Sequence, residues 1–367
     1  MAAGNADADI PRDEMKIVTV VGARPQFIKC APLSKELSRE HDEILVHTGQ
    51  HYDHNMSSLF FEELGIPKPD YNLGIGSGNQ GEQTGRMIAE IEKVLLKESP
   101  DAVLVYGDTN STLAGALAAS KLHIKLAHVE AGLRSFDKTM PEEINRILTD
   151  HCSDLLLAPT KTAVTNLGAE GIKEGVRLVG DVMLDALMQN LVAAEKSSVL
   201  RKLGLREKDY LLATVHRQSN TDDAKNLASI LEAFAEIGGN IVFPVHPRTM
   251  KFIRQNGLER RCGKNVSLVE PLGYLDFLAL EKNAKKILTD SGGIQKEAYM
   301  LKVPCITLRD NTEWVETVED GWNILVGTDK KRIVEAATGF NPASGQRNVF
   351  GEGGSSRKIV ECLMAFD

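Results

Sequence analysis

From Met15 onward the chain alternates short apolar, β-branched runs with longer stretches of helical periodicity. The first series of runs is Lys16 to Val21, Glu43 to His47, Ala102 to Tyr106, Lys125 to Val129, Leu155 to Ala158 and Arg177 to Val179. A polar helical stretch, roughly Asp185 to Lys208, follows. The series then restarts with Tyr210 to Thr214, Gly239 to Val245, Val266 to Val269, Lys286 to Thr289, Cys305 to Leu308 and Asn323 to Val326. Wholly apolar runs such as Ala102 to Tyr106 suit strands buried on both faces, and parallel strands separated by helices are joined by right-handed crossovers. The pattern predicts an α/β chain of two Rossmann-like, doubly wound domains facing each other across a cleft.

A chain of 367 residues exceeds the usual single core, which agrees with two domains. The expected division is a disordered leader over 1–14, a first domain over 15–183, a second over 184–352 and a terminal helical segment over 353–367 packing back on the first. The link is placed near Asp181 to Asp185, and the cleft between the domains is the default ligand site.

With 42% hydrophobic and 26% charged residues the composition is that of an ordinary globular protein. The net charge of −8 argues against a nucleic-acid binder, so an anionic ligand must be held by local cations. The leader has no apolar core for a secretory signal, and no run approaches a membrane span. Five widely separated cysteines suggest neither a zinc site nor a disulfide framework and fit a reducing cytoplasm.

The candidate chemistry begins between Gly107 and Glu143, where Asp108, Glu130 and Glu142 each stand at a point where a strand gives way to a turn or helix. Each has an ordinary alternative: Asp108 as a helix cap, Glu142 and Glu143 as acids suited to a helix N-terminus. Their repetition at strand ends, with Arg134 and Arg146 nearby to bind anions, favours acid/base work.

After the first strand, Gly22-Ala23-Arg24-Pro25-Gln26-Phe27-Ile28-Lys29 is neither a dinucleotide fingerprint nor a P-loop. It offers Arg24 and Lys29 to an anionic substrate. In the second domain Asp290-Ser291-Gly292-Gly293 opens a helix, so backbone N–H groups and the Ser291 hydroxyl can approach a diphosphate; an ordinary tight turn is the alternative. Glu297 in that helix is placed to accept from a ribose, or faces solvent. His216-Arg217 and His246-Pro247-Arg248 are basic strand ends suited to phosphate and proton exchange. Gln50, His51 and His54 lie on a polar loop that lines the cleft or faces water.

These motifs, in this order, resemble the non-hydrolysing UDP-N-acetylglucosamine 2-epimerases: Gly22-Ala23-Arg24-Pro25, Gly49-Gln50-His51, Gly107-Asp108-Thr109, His128 to Arg134, Pro141 to Arg146, His216-Arg217, Thr289 to Gly293 and Arg309-Asp310-Asn311-Thr312-Glu313. The resemblance runs from about Lys16 to the C-terminus. It implies the GT-B architecture and interconversion of UDP-N-acetylglucosamine and UDP-N-acetylmannosamine by expulsion of UDP and its re-addition to 2-acetamidoglucal. It further implies Asp108, Glu130 and Glu142 as acid/base or cation-stabilising groups and His216 as partner of the departing UDP. Arg24, Lys29, Arg134, Arg217, His246, Ser291, Gly292, Gly293, Glu297, Arg309 and Glu313 would line the UDP-sugar site, with Phe277 against the uracil unless it is a core aromatic. Gln50 and His51 would line the cleft or a second, activator site. The implied protein is a homodimer that needs no metal or other cofactor.

Two departures bear on substrate and regulation. Gln26-Phe27 and Glu313-Trp314-Val315-Glu316 resemble the branch acting on UDP-2,3-diacetamido-2,3-dideoxyglucuronate. Ser77-Gly78 stands where activator-dependent bacterial members have an Arg-Gln pair, which speaks against that activation. A GT-B glycosyltransferase would share the Ser291-Gly292-Gly293 cradle and Glu297 but has no need of three carboxylates together. A catalytically silent UDP-sugar sensor is the third reading.

Overall fold

The apolar runs do become parallel strands. A computed structural model describes residues 14–50 and 61–365; residues 1–13 of the expected leader, His51 and His54 lie outside the described residues. Strands β1 (Lys16–Val21), β2 (Asp42–His47), β3 (Tyr71–Asn72), β4 (Ala102–Tyr106), β5 (Lys125–Val129), β6 (Leu155–Ala158) and β7 (Val176–Leu178) form one sheet in the order β3-β2-β1-β4-β5-β6-β7. Strands β8 (Tyr210–Thr214), β9 (Asn240–Pro244), β10 (Val266–Val269), β11 (Lys286–Thr289), β12 (Cys305–Thr307) and β13 (Asn323–Leu325) form a second, ordered β10-β9-β8-β11-β12-β13. All pairings are parallel, as for Val18 with Ile44 and with Val103. The two-residue β3 adds a strand that no apolar run announces.

Both sheets are doubly wound, and together they have the GT-B architecture. In each, strand order reverses beside the first strand, between β1 and β4 and between β8 and β11. Ligand sites of open α/β sheets lie at the carboxyl ends of such strands. Those ends carry Gly22 to Arg24 and Gly107-Asp108 in one sheet, and His216-Arg217 and Asp290 to Gly292 in the other.

Every residue of β4 is buried, because helices cover both faces of its sheet. On one side the helix Asn110–Lys121 packs through Ala114, Ala116, Ala118 and Ala119. Its Gly115 backs directly onto the sheet, where an added Cβ would stand 2.9 Å from Val105 Cγ1. On the other side Phe27, Leu33 and Leu37 of the helix Arg24–Leu37 share a core with Ile359, Val360 and Leu363 of the helix Ser355–Met364. The last helix therefore returns to the first sheet.

The chain passes from one sheet to the other through the helix Val182–Ala194, whose Met183, Ala186 and Leu187 pack with Ile28 from the first half and Tyr210 and Phe277 from the second. Asp185 on this helix accepts from Ser355 N at 3.2 Å, Ser356 N at 2.7 Å and Ser356 Oγ at 2.7 Å. It thus supplies the N-terminal cap that Gly354, lacking a side chain, cannot. Among the described residues no helix is long and apolar enough to cross a membrane.

Candidate active site

Glu130 follows the last residue of β5 and holds a φ of 76°, a left-handed conformation that costs a residue with a Cβ about 1–2 kcal/mol. Its backbone N–H still bonds Leu157 O at 3.1 Å, so the kink turns the side chain without losing the sheet contact. The carboxylate is buried between two ammonium groups: Lys29 of the first helix binds Oε2, and Lys296, from the helix Gly292–Met300 of the second half, lies 2.7 Å from Oε1. Gly107, with a φ of 63°, leaves the room this pair needs; a Cβ there would stand 3.1 Å from Lys29 Nζ and 3.2 Å from Glu130 Oε2. Burial pushes the Lys29 ammonium down to about 7, and the neighbouring Lys296 charge adds to the effect.

Asp108, one residue beyond Gly107, is paired with Arg146. Burial pushes its carboxyl up, but Arg146 and Lys29 outweigh that and hold it below the ordinary aspartate value. Arg146 is itself buried and braced by Glu143 at 2.8 Å, while Asn145 Nδ2 donates to Asp108 O at 3.0 Å. The helix Pro141–Cys152 thus carries the Asp108 partners on its first two turns. Glu143 accepts from Ser135 N, Ser135 Oγ and Phe136 N, each at 2.9 Å, and so ties the preceding loop. Its neighbour Glu142 is half-exposed and points to Arg217 Nη1, 3.8 Å away on the second half.

From the opposing sheet, the buried Asp290 carboxylate accepts from His216 N and Arg217 N at 3.0–3.1 Å and from Asn220 Nδ2 at 3.0 Å, fixing the loop after β8. The exposed His216 imidazole is held with Nδ1 3.5 Å from Asp290 Oδ1. Arg217 reaches both Glu142 and, at 3.7 Å, Glu313. Glu313 is buried and also pairs with Arg309 at 3.0 Å. Burial alone would raise its carboxyl, but Arg309, Arg146 and Arg217 hold it well below the usual carboxylate range. Cations and carboxylates of the two halves therefore meet beside the strand ends, Glu142 with Arg217 and Glu130 with Lys296.

Ser291 stands at the N-cap position of the helix Gly292–Met300, its side chain making no cap bond and its N–H donating to Thr289 Oγ1 at 3.0 Å. Gly293 is open, with only Ser291 Oγ, at 3.9 Å, within van der Waals reach of an added Cβ. Arg24 lies 5.9 Å from the centroid of the Phe277 ring. Glu297 accepts from Tyr274 OH at 3.0 Å. Burial lifts the Glu297 carboxyl to about 7 despite Tyr274 and Arg24. The same burial lowers Arg24 and raises Glu281, whose oxygens have no hydrogen-bond partner among the described residues. Phe277 itself is a buried member of the core with Leu278 and Leu280.

The structure corrects the expectations for Arg134 and Lys29 and gives His246 and Gln50 local partners. Arg134 is not a free anion-binding cation: its guanidinium donates to Asp150 Oδ2 at 2.7 Å and to both oxygens of Glu170 at 2.7 Å, and it is buried. Lys29 faces Glu130 rather than open space for a phosphate. His246 Nδ1 accepts from Arg248 N at 3.2 Å, capping the helix Pro247–Gln255. Gln50 Oε1 accepts from Ser111 N at 3.1 Å and Ser111 Oγ at 2.6 Å, bracing the helix start after Asp108. The loop after β1 that carries Arg24 is closed by Gln26, whose Oε1 takes Gly22 N at 2.8 Å and Ala23 N at 3.0 Å.

Two facing Rossmann-like halves with a charged, strand-end cleft define an enzyme class that handles anionic, nucleotide-linked substrates between its domains. The chain belongs to the UDP-N-acetylglucosamine 2-epimerase family, whose model matches residues 35–364. A Methanococcus maripaludis protein named UDP-N-acetylglucosamine 2-epimerase homolog is 62% identical over 95% of this chain and 99% of its own length. The UDP-2,3-diacetamido-2,3-dideoxy-D-glucuronate 2-epimerase of Pseudomonas aeruginosa is 51% identical over 95% of this chain and 99% of its own. The crystal structure of the Methanocaldococcus jannaschii UDP-GlcNAc 2-epimerase, in complex with UDP-GlcNAc and UDP, matches with a TM-score of 0.91 and 52% identity. It covers 96% of this chain and all of that one.

Proposed function

We propose that this chain is an isomerase that interconverts UDP-N-acetylglucosamine and UDP-N-acetylmannosamine without hydrolysing either. The observation that carries the reading is the meeting of carboxylates of the first half with cations of the second, Glu142 with Arg217 and Glu130 with Lys296, beside Asp108 on Arg146. The C2 hydrogen of the sugar is not adjacent to a carbonyl, so direct removal is too costly. Breaking the C1–O bond with its electron pair passing to UDP makes C1 cationic and C2–H acidic. A carboxylate then accepts the proton as the C1–C2 double bond forms. Return of the phosphate oxygen to C1, with a proton delivered to the other face of C2, inverts that centre.

Asp108, kept ionised by Arg146, is suited to accept the proton. The half-exposed Glu142 is suited to exchange one with solvent, and Glu130 to stabilise the cationic carbon. His216, Arg217 and the helix start at Ser291 and Gly293, open at Gly293, are suited to the diphosphate. Glu297 and Arg24 are suited to the nucleoside, where a uracil against Phe277 would share the ring with Arg24. A cytoplasmic homodimer is the setting we propose, on the family resemblance and on cysteines that are all unpaired.

A second reading, the same 2-epimerisation on UDP-2,3-diacetamido-2,3-dideoxyglucuronate, draws support from the Gln26 and Trp314 motifs and from the Pseudomonas relative. Incubating the enzyme in D₂O with each UDP-sugar separately, with no acceptor, and following C2 by NMR separates these readings. The first predicts deuterium at C2 of both N-acetylhexosamine epimers. Epimerisation of the diacetamido sugar alone would establish the second. Absence of C2 exchange with both sugars would remove the epimerase reading.

A further inference from the structure

Lys296 sits in the first turns of a helix in the second half, yet its ammonium ends in the first. Nζ is 2.7 Å from Glu130 Oε1 and 2.7 Å from Asp181 Oδ2, and it lies 4.1 Å from the centroid of the Trp314 ring. The residue is 1% exposed, so these contacts replace water altogether. Asp181 is itself fixed, because its other oxygen accepts Met183 N at 2.8 Å and caps the bridging helix. A buried ammonium held by two carboxylates and an aromatic face has little freedom to move. Glu130 in turn has one oxygen on Lys29 of its own half and the other on Lys296 of the opposite half.

We propose that Lys296 is a cross-domain positioning residue that aims and charges Glu130 only when the two halves are packed together. Each half alone holds an incomplete group. The first presents Glu130 and Asp181 with Lys29 as their one ammonium, while the second presents Lys296 over Trp314 without the two carboxylates that bind it. Packing the halves joins these into a buried set of two ammonium groups and two carboxylates. It fixes the Glu130 side chain, already committed by its left-handed backbone, toward the carbon that becomes cationic. Separation of the halves would leave Glu130 with one ammonium and freedom at Oε1, so the catalytic wall is completed by the same motion that closes the cleft. Lys29 responds as well, since the Lys296 charge is one of the influences that make its ammonium easier to deprotonate.

The inference rests on the role proposed for Glu130, and the experiment separates the two. Lys296→Met keeps the contact with Trp314 but removes the charge. It is expected to lower kcat for epimerisation by about 100-fold, as misaiming the Glu130 carboxylate that faces developing charge does, while KM and UDP affinity by calorimetry stay within about threefold. Lys296→Arg, which can still reach both carboxylates, is expected to recover at least about tenfold of that loss. Should Lys296→Met not fold, the pair Asp181→Asn/Lys296→Met, which removes the stranded acid together with its partner, is held to the same criterion. Retention of kcat, a parallel loss of UDP affinity, or no recovery with arginine overturns the inference. If Glu130→Gln is itself fully active, the functional reading of Glu130 fails instead, and the inference with it.

Discussion

The Glu313 carboxylate lies where the side chain of any residue but glycine at position 292 would begin. Gly292 is the first residue of the helix after β11, and a Cβ there would also come 3.3 Å from Trp314 Nε1. Sequence places this glycine under a phosphate; the structure gives it a different reason. It lets Glu313 approach the helix start, from which the carboxylate holds Arg309 and Arg217 in the cleft.

Gly292→Ala should therefore weaken UDP binding without unfolding the protein. Glu313 cannot simply swing aside, because Arg309 at 3.0 Å and Arg217 at 3.7 Å hold it, so the overlap is relieved by moving the charged wall. Overpacking of this kind costs about 1–3 kcal/mol. Alanine at a helix position partly offsets it, by up to about 1 kcal/mol. The expected result by calorimetry is a loss of about tenfold or more in UDP affinity with a melting temperature close to that of the unaltered protein. Unchanged affinity would show that Glu313 does not organise the diphosphate wall.

Arg134 offers the converse case, a residue that looks like a ligand cation and is a brace. Its guanidinium joins Asp150, which also binds His128 Nδ1 at 2.8 Å and Gly132 N at 3.1 Å, to Glu170 beyond the helix Lys161–Ala169. Lysine keeps the charge but loses the planar fork that meets both acids. Arg134→Lys should lower stability by about 1.5–3 kcal/mol, the range for hydrogen bonds to charged groups, and leave KM for the UDP-sugar unchanged. Urea unfolding and steady-state kinetics on one preparation check both parts. A raised KM with unchanged stability would return Arg134 to the substrate site.

The strands were legible because wholly apolar runs such as Ala102 to Tyr106 have one stable place in this fold, a sheet covered on both faces. Asp108 and Glu130 were legible for a related reason: a charged residue within two positions of the end of such a run must emerge at a strand end. β3 was not, since two residues, Tyr71 and Asn72, carry no periodicity. Partnerships across long sequence separations were equally hidden. Nothing in the local sequence shows that Arg134 meets Glu170 or that Lys296 reaches Glu130, because the topology alone brings those segments together. Lys296 in particular, on a helix of the second half, is buried in the seam between the halves.

The Lys29 ammonium leads to a prediction with a definite sign. Burial, reinforced by Lys296, brings it from the ordinary 10.5 to about 7, against the opposing pull of Asp108 and Asp181. Between those values the unfolded chain carries a proton on Lys29 that the folded chain has released. Stability contributed by this residue must then rise with pH across that window and is lowest below it, where the folded state carries the buried charge. The slope is at most about 1.4 kcal/mol per pH unit. Methionine at position 29 removes the titration while keeping much of the volume. The stability difference, unaltered protein minus Lys29→Met, should thus grow from pH 7 to pH 9 in urea unfolding. A difference that stays flat or shrinks over that range would mean that Lys29 remains charged beside Glu130, and that the pair is a fixed ion pair with no proton to release near neutral pH.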